Sequence, residues 1–322
     1  NGVDPIDVVN KYGADALRFT IITGNSPGND MRYDEKRIVA SRNFANKLWN
    51  ATRFVLMNVD ENDDIEFKNL DLSLEDKWIL KRLNNVVEEV SKNLDKYEIG
   101  LAASRIEDFI WEEFCDWYIE MVKRRLYNEE DDTKSAAIWT LRHVLIQALK
   151  LLHPFMPFIS EEIFCNLQEE EETIMVSQWP VYRDDWSFAK EEQSTETIKE
   201  AVRAIRGVRS SMNVPPSKKA TVYVVSEDAG LLQIFEHSKS FFAALGYAGE
   251  VILQENKEGI ADDAVSAVIH KAVIYMPFAD LVDIEKEIER LRGEEKRLAG
   301  ELARSRGMLG NEKFVNRATE AK

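Results

Sequence analysis

From Ser41 to about Phe164 the apolar residues recur at steps of three and four almost without a break, a period that fits helices and little else. Phe44, Leu48, Ala51 and Val55 form one stripe, with Ser41 or the loop before it as the expected N-cap. Trp78, Leu83, Val86, Val87 and Val90 form a second, and Ile106, Phe109, Ile110, Phe114, Trp117, Tyr118 and Met121 a third. The fourth runs Ile138, Leu141, Leu145, Ala148, Leu151 and Leu152, and stops at His153-Pro154. Four long helices with short polar joints predict an antiparallel bundle. A short helix follows, with Ser160 expected as its cap and Glu161 and Glu162 at its positive end.

The flanks read differently. Residues 1–40 open on Asp4-Pro5, a helical stretch through Val8 and Val9, and a loop at Asn25-Ser26-Pro27-Gly28-Asn29-Asp30. The abrupt opening suggests the middle of a longer polypeptide. Past Trp179-Pro180, the run Ile198, Val202, Ile205 and Val208 predicts a helix, and Thr221 to Val225 a strand by its β-branched content. A helix around Leu231 to Leu245 and strands at Val251–Leu253 and Ala264–Tyr275 complete a small α/β unit. Leu281, Ile284, Ile288, Leu291, Leu298, Leu302 and Leu309 then alternate as a coiled-coil seam, interrupted by Glu295 and Ser305. The expected fold is mainly α: a linker over 1–40, a helical bundle over 41–190, an α/β subdomain over 191–280 and the start of a coiled-coil arm over 281–322.

The formal net charge of −16, taken alone, argues against a nucleic-acid partner. Its distribution reopens the question. Acids pile up at Asp60 to Asp64, Glu129 to Asp132 and Glu169 to Glu172, all read as solvated loops. Between Arg32 and Arg53 stand six basic residues against two acidic, and between Arg203 and Lys219 five against none. A locally basic face can hold a polyanion on an acidic protein. No run approaches the roughly 18 apolar residues of a membrane span. Cys115 and Cys165 lie in apolar surroundings without CxxC spacing and read as reduced core thiols of a cytoplasmic protein.

Catalytic signatures are missing. There is no P-loop, GxGxxG, GxSxG or zinc spacing, and the four histidines (His143, His153, His237, His270) fall on separate elements. Glu112, Glu113, Asp116, Glu161 and Glu162 read as solvated faces or caps. That leaves no catalytic residue and no metal ligand to name. Aromatic residues mixed with cations remain. Lys47, Asn50 and Phe54 share a helical ridge apart from the core stripe, and a ring, an amide and a cation together suit an unstacked base beside a phosphate. Spacing alone favours the other reading, in which Phe54 packs on a neighbouring helix. Most of the cluster Phe109, Trp111, Phe114, Trp117 and Tyr118 follows the core period and reads as packing. Lys123, Arg124 and Arg125 read either as phosphate contacts or as dipole-favoured residues of a last turn. Arg203, Arg206 and Arg209 at steps of three, with Lys218 and Lys219 beyond, read as a phosphate-tracking ridge or as a solvated face.

Several consecutive motifs resemble one family. Asn1-Gly2-Val3-Asp4-Pro5 and Tyr12-Gly13-Ala14-Asp15-Ala16-Leu17-Arg18 are similar to the stretch after the KMSKS signature of class I aminoacyl-tRNA synthetases for branched aliphatic amino acids. Gly24 to Arg32, Arg42 to Asn50, Phe114 to Tyr118, His153 to Phe158 and Met212 to Pro216 resemble the valyl members in the same order. The resemblance implies an anticodon-binding bundle preceded by a stem-contact element. It implies Lys47, Asn50 and Phe54 as anticodon contacts, with Lys36 and Arg42 as supporting cations. The seam then resembles the first strand of a hairpin arm with its tip at Gly310-Asn311, and Arg317-Ala318-Thr319 departs from the family's return helix. The implied partners are valine tRNA and the enzyme's own catalytic domain, in a monomer with no membrane contact. ATP with magnesium is expected to serve the parent enzyme alone, and this portion to hold no cofactor and to be inactive by itself. Two alternatives stand: the same portion of another branched-aliphatic synthetase, or a coiled-coil adaptor.

Overall fold

The computed structural model describes residues 2–23, 32–59, 67–168, 170–282 and 284–309. The loop at Asn25–Asp30, the acidic run Asp60–Asp64, Glu169, the tip Gly310-Asn311 and Arg317–Thr319 lie outside the described residues. The chain divides into two compact units, Asn1–Lys199 and Glu200–Lys322.

The first unit is helical. Asp4 caps α1 (Pro5–Tyr12) by accepting the Ile6 N–H at 2.8 Å, and Gly13, at φ +93°, ends it before α2 (Ala14–Thr23). The next helix, α3 (Glu35–Leu56), starts seven residues earlier than a cap at Ser41 would place it, because Asp34 caps it through the Lys36 N–H at 3.0 Å. Ser41 is no cap. It is buried mid-helix, its Oγ 2.8 Å from Thr20 Oγ1 of α2. Phe44, Leu48 and Val55 turn inward, and Phe44 meets Phe19 with ring centroids 5.3 Å apart.

After α4 (Leu74–Asp95) comes one long rod with a change of winding: α5 (Ile99–Asp108), a π-helical stretch over Phe109–Tyr118, and α6 (Ile119–Leu126). The bundle closes with α7 (Lys134–Leu152) and α8 (Pro157–Leu167). Ser160 does not cap α8. The anion at that helix's positive end is Asp15 of α2, which accepts the N–H groups of Ile159 and Phe158 at 2.7 and 3.3 Å. Ser160 lies inside α8, donating to the Met156 carbonyl. Cys115 is buried as expected, whereas Cys165 is exposed on the outer side of α8. Among the described residues no helix is long and apolar enough to cross a membrane.

Helix α9 (Ala189–Ser211) begins in the first unit and ends in the second. There, β1 (Ala220–Val225) runs parallel to β2 (Ala248–Gln254), and such a pair needs a crossover. The expected single helix is two, α10 (Ala229–His237) and α11 (Lys239–Leu245), broken at Ser238. The expected single strand over 264–275 is a hairpin, β3 (Val265–Ile269) and β4 (Ala272–Met276), turning at Lys271 with φ +59°. The sheet order is β2-β1-β4-β3. Leu281 does not start the seam. It is buried in the short α12 (Phe278–Leu281), and α13 (Ile284–Leu309) carries Ile288, Leu291, Leu298 and Leu302 exposed.

Candidate nucleic-acid interface

Residues Lys36 to Val59 hold five cations (Lys36, Arg37, Arg42, Lys47, Arg53) and no acid. Most of them belong to α3, whose apolar stripe binds it to α2, the π stretch, α7 and α8. At about 100° per residue, Lys36, Asn43, Lys47 and Phe54 fall within roughly 20° of one line on a flank about 90° round from that stripe, and Asn50 is close to it. Lys36, Asn43 and Asn50 are exposed, and Lys47 and Phe54 are half-buried. The ridge is therefore open at Lys36, Asn43 and Asn50 and partly covered at Lys47 and Phe54.

Protein groups already address its two half-buried side chains. The Lys47 ammonium sits 3.9 Å from the Trp111 ring centroid and 2.6 Å from the Asp116 carboxylate. Phe54 lies under the ammonium of Lys123, 5.7 Å from the ring centroid, while Lys123 also pairs with Glu120. Trp111 and Asp116 are the residues that sequence reasoning missed here. Five residues apart, they would point about 140° from each other on an α-helix. A π-helix bonds i to i+5 and brings such pairs to one side. Both can thus meet Lys47. The same winding turns Glu113 inward, where it takes Arg82 in a two-point ion pair at 2.8 Å and Arg105 at 3.2 Å, rather than lining a solvated face. The guanidinium of Arg82 holds the Glu113 carboxyl below the usual range against its burial. As expected, Phe109, Phe114, Trp117 and Tyr118 are buried.

Arg42 stands elsewhere than the ridge. It is turned by about 120° toward α1, where its guanidinium lies 5.9 Å from the Tyr12 ring. Asn46, Trp49 and Arg53 share that flank, and Trp49 is 42% exposed.

Burial separates the phosphate candidates, and the structure corrects Arg125. Arg125 is only 7% exposed and is committed to Glu75 and Asp76, with N–O distances of 2.8 to 2.9 Å. Asp76 also accepts the buried Tyr118 hydroxyl at 2.7 Å. With two carboxylates already against it, this guanidinium has its counter-charge supplied within the bundle, whereas its neighbour Arg124 is exposed. Arg203, Arg206 and Arg209 do not share a face, because each step of three drifts by about 60°. Arg203 is exposed, Arg206 is half-buried with Nε donating to the Leu245 carbonyl at 2.6 Å, and Arg209 is 3% exposed. Lys218 is half-buried and Lys219 exposed.

Among the described residues no group of three metal-type ligands converges. His143 stacks on Trp139 at 4.6 Å and meets Trp186 edge-on, and burial pushes its pKa down to about 4. His153 bonds Ser160 Oγ through Nδ1 at 2.8 Å at the α7–α8 corner, a structural contact.

An elongated basic ridge on a helical bundle is a surface for holding a polyanion. Residues 76–224, which span α4 to β1, match the family model described as the anticodon-binding domain of tRNA ligase. The class is therefore the tRNA-ligase anticodon-binding module. Along its whole length the chain also resembles particular ligases. The valine--tRNA ligase of Clostridium tetani is 49% identical over 322 residues, covering 100% of this chain and 36% of that protein. The valine--tRNA ligases of Clostridium acetobutylicum and Listeria monocytogenes are 47% and 39% identical, again covering 100% of this chain and 36% of theirs. The chain belongs to the valine--tRNA ligase family, and spans 36% of the length of these relatives.

Proposed function

We propose that this chain is the tRNA-gripping portion of a valine--tRNA ligase, and that the open ridge of α3 receives the anticodon. The observation that carries this reading is the ridge itself. On a protein of net charge −16, one helix that carries no acid beyond Glu35 offers a half-buried ring, exposed amides and cations along one flank. An unstacked base against the Phe54 ring gains about 1–3 kcal/mol. The Asn50 amide both donates and accepts, so it suits a base edge. Lys36 and Lys47 neutralise phosphates. Arg42, Arg53 and Trp49 on the other flank give the loop a second side to lean on.

In the whole ligase, ATP with magnesium drives valine onto the 3′ end of its tRNA, and that chemistry together with editing belongs to the rest of the enzyme. This portion contributes position. Holding a long RNA at a remote point fixes where its 3′ end lies, and effective concentration is set by such alignment. The portion works beside its own catalytic domain as a monomer in the cytoplasm, without a cofactor, and is inactive alone.

The test is titration of labelled valine tRNA with the chain, read by fluorescence anisotropy. Lys47→Ala and Phe54→Ala should each weaken binding by about 1–3 kcal/mol. Changing the central anticodon base should weaken the unmodified chain similarly. Unchanged affinity in both variants removes the assignment. Parallel titration with isoleucine and leucine tRNAs decides between this family and its branched-aliphatic neighbours.

A further inference from the structure

A second acid-free stretch, Ala201 to Ser226, carries Arg203, Arg206, Arg209, Lys218 and Lys219 in the second unit. Its centre is Arg209. Nη2 of Arg209 donates to the Pro215 carbonyl at 2.8 Å and the Lys218 carbonyl at 2.7 Å, which fixes the Pro215–Lys218 turn at the end of α9. Its other terminal nitrogen, Nη1, is buried and has no hydrogen-bond partner. Among the described residues no carboxylate forms an ion pair with Arg209 or with Lys219. A buried cation is ordinarily paired with an anion, because neutral carbonyls replace its hydration only in part. The remaining contact of Arg209 is the Tyr247 ring, whose centroid is 5.5 Å from the guanidinium carbon and 5.5 Å from the Lys219 ammonium.

The backbone here is held in an unusual state. Tyr247 has φ +57°, a region that bulky residues rarely enter, and Asn213 in the neighbouring turn has φ +53°. Such conformations cost energy and cluster at ligand-binding positions. An unpaired buried guanidinium, a flexible ammonium and an aromatic ring between them thus converge on one corner.

We propose that this corner binds one nucleotide step of RNA, with a phosphodiester bridging Lys219 and Arg209 and the adjoining nucleoside against Tyr247. The inference rests on the reading that the chain holds tRNA, and adds a contact outside the anticodon. The phosphate supplies the counter-charge Arg209 lacks, and the Tyr247 ring moves from between the cations to the face of the nucleoside. Arg209 also organises the turn, so the informative variants are at Lys219 and Tyr247.

The experiment uses the full chain with two RNAs, whole valine tRNA and its isolated anticodon stem-loop, at two salt concentrations. Lys219→Ala should weaken whole-tRNA binding about fivefold or more and reduce the salt slope by about one. Tyr247→Ala should weaken it about fivefold or more, and Tyr247→Phe, which keeps the ring, should bind as the unmodified chain does. None of the three should alter stem-loop binding, and thermal melting confirms that each is folded. Whole-tRNA affinity unchanged in both Lys219→Ala and Tyr247→Ala overturns the proposal while leaving the anticodon reading intact. Lys47→Ala and Phe54→Ala both with unchanged stem-loop affinity strike the anticodon reading instead. A titration with inorganic phosphate at fixed ionic strength separates the sources. If phosphate perturbs the Tyr247 resonances while both variants hold tRNA normally, the corner is a free-anion site and the RNA assignment fails.

Discussion

Asp116→Asn should tighten tRNA binding. Asp116 is the carboxylate nearest the proposed anticodon ridge, 2.6 Å from the Lys47 ammonium, with side-chain exposures of 51% and 23%. An ion pair so exposed contributes about 0–1 kcal/mol to folding, so the substitution should barely move the melting temperature. In the complex the same carboxylate faces incoming phosphates and competes with them for Lys47. A phosphate about 6 Å away repels it by about 0.7 kcal/mol in bulk water and by roughly four times that at an effective dielectric of 20. Exposure favours the lower figure. The expected gain is therefore about 0.7–1.5 kcal/mol, a three- to tenfold drop in Kd. The gain should shrink as salt rises, because the screening length falls from about 10 Å at 0.1 M to about 3 Å at 1 M. Anisotropy titrations of valine tRNA at low and high salt measure both effects. A Kd that is unchanged or raised in Asp116→Asn at low salt refutes the reasoning, since Asp116 would then lie off the RNA path or hold a base itself.

Two further outcomes follow from the bundle. Arg125→Ala leaves Asp76 and Glu75 buried without their cation, and breaking such a pair costs about 3–5 kcal/mol. Urea unfolding monitored in the first unit should show it, and a loss under about 1 kcal/mol would contradict the paired, enclosed network. His143 is neutral in the fold, with a pKa near 4, against an ordinary value of 6.5. Above pH 6.5 neither state is protonated and His143 adds no pH dependence; as pH falls from 6.5 towards 4 the unfolded chain takes the proton first. Stability is then lost, by up to roughly 3 kcal/mol. His143→Phe should remove that part of the slope between pH 7 and 4, and an identical slope in the variant would show that the imidazole is not the titrating group.

Much of this architecture was legible in advance. The four apolar stripes predicted the bundle because burial on one side of a helix imposes a 3.6-residue period wherever the helix packs. The α/β unit was legible from β-branched runs, although its hairpin and its broken crossover helix were not. A two-residue turn at His270-Lys271 and a one-residue break at Ser238 leave no compositional mark. The Lys47–Phe54 ridge could be drawn from spacing, and the charge asymmetry that makes it a candidate is a property of the sequence alone.

What surrounds the ridge could not be drawn. Spacing gave Arg125 and Arg209 the same standing as Arg124 and Lys219, yet the first pair is enclosed and the second is exposed. Their difference is set by where Asp76, Glu75 and the Pro215–Lys218 turn come to lie, which are contacts between distant or folded-back segments. The π winding of Phe109–Tyr118 changed which residues face α3, and a helical period assumed at 3.6 necessarily misplaces them. Local chain chemistry thus determined the helices and the family of surfaces they offer. Only tertiary packing decided which cations face solvent, because burial belongs to the partner a residue meets and not to the residue.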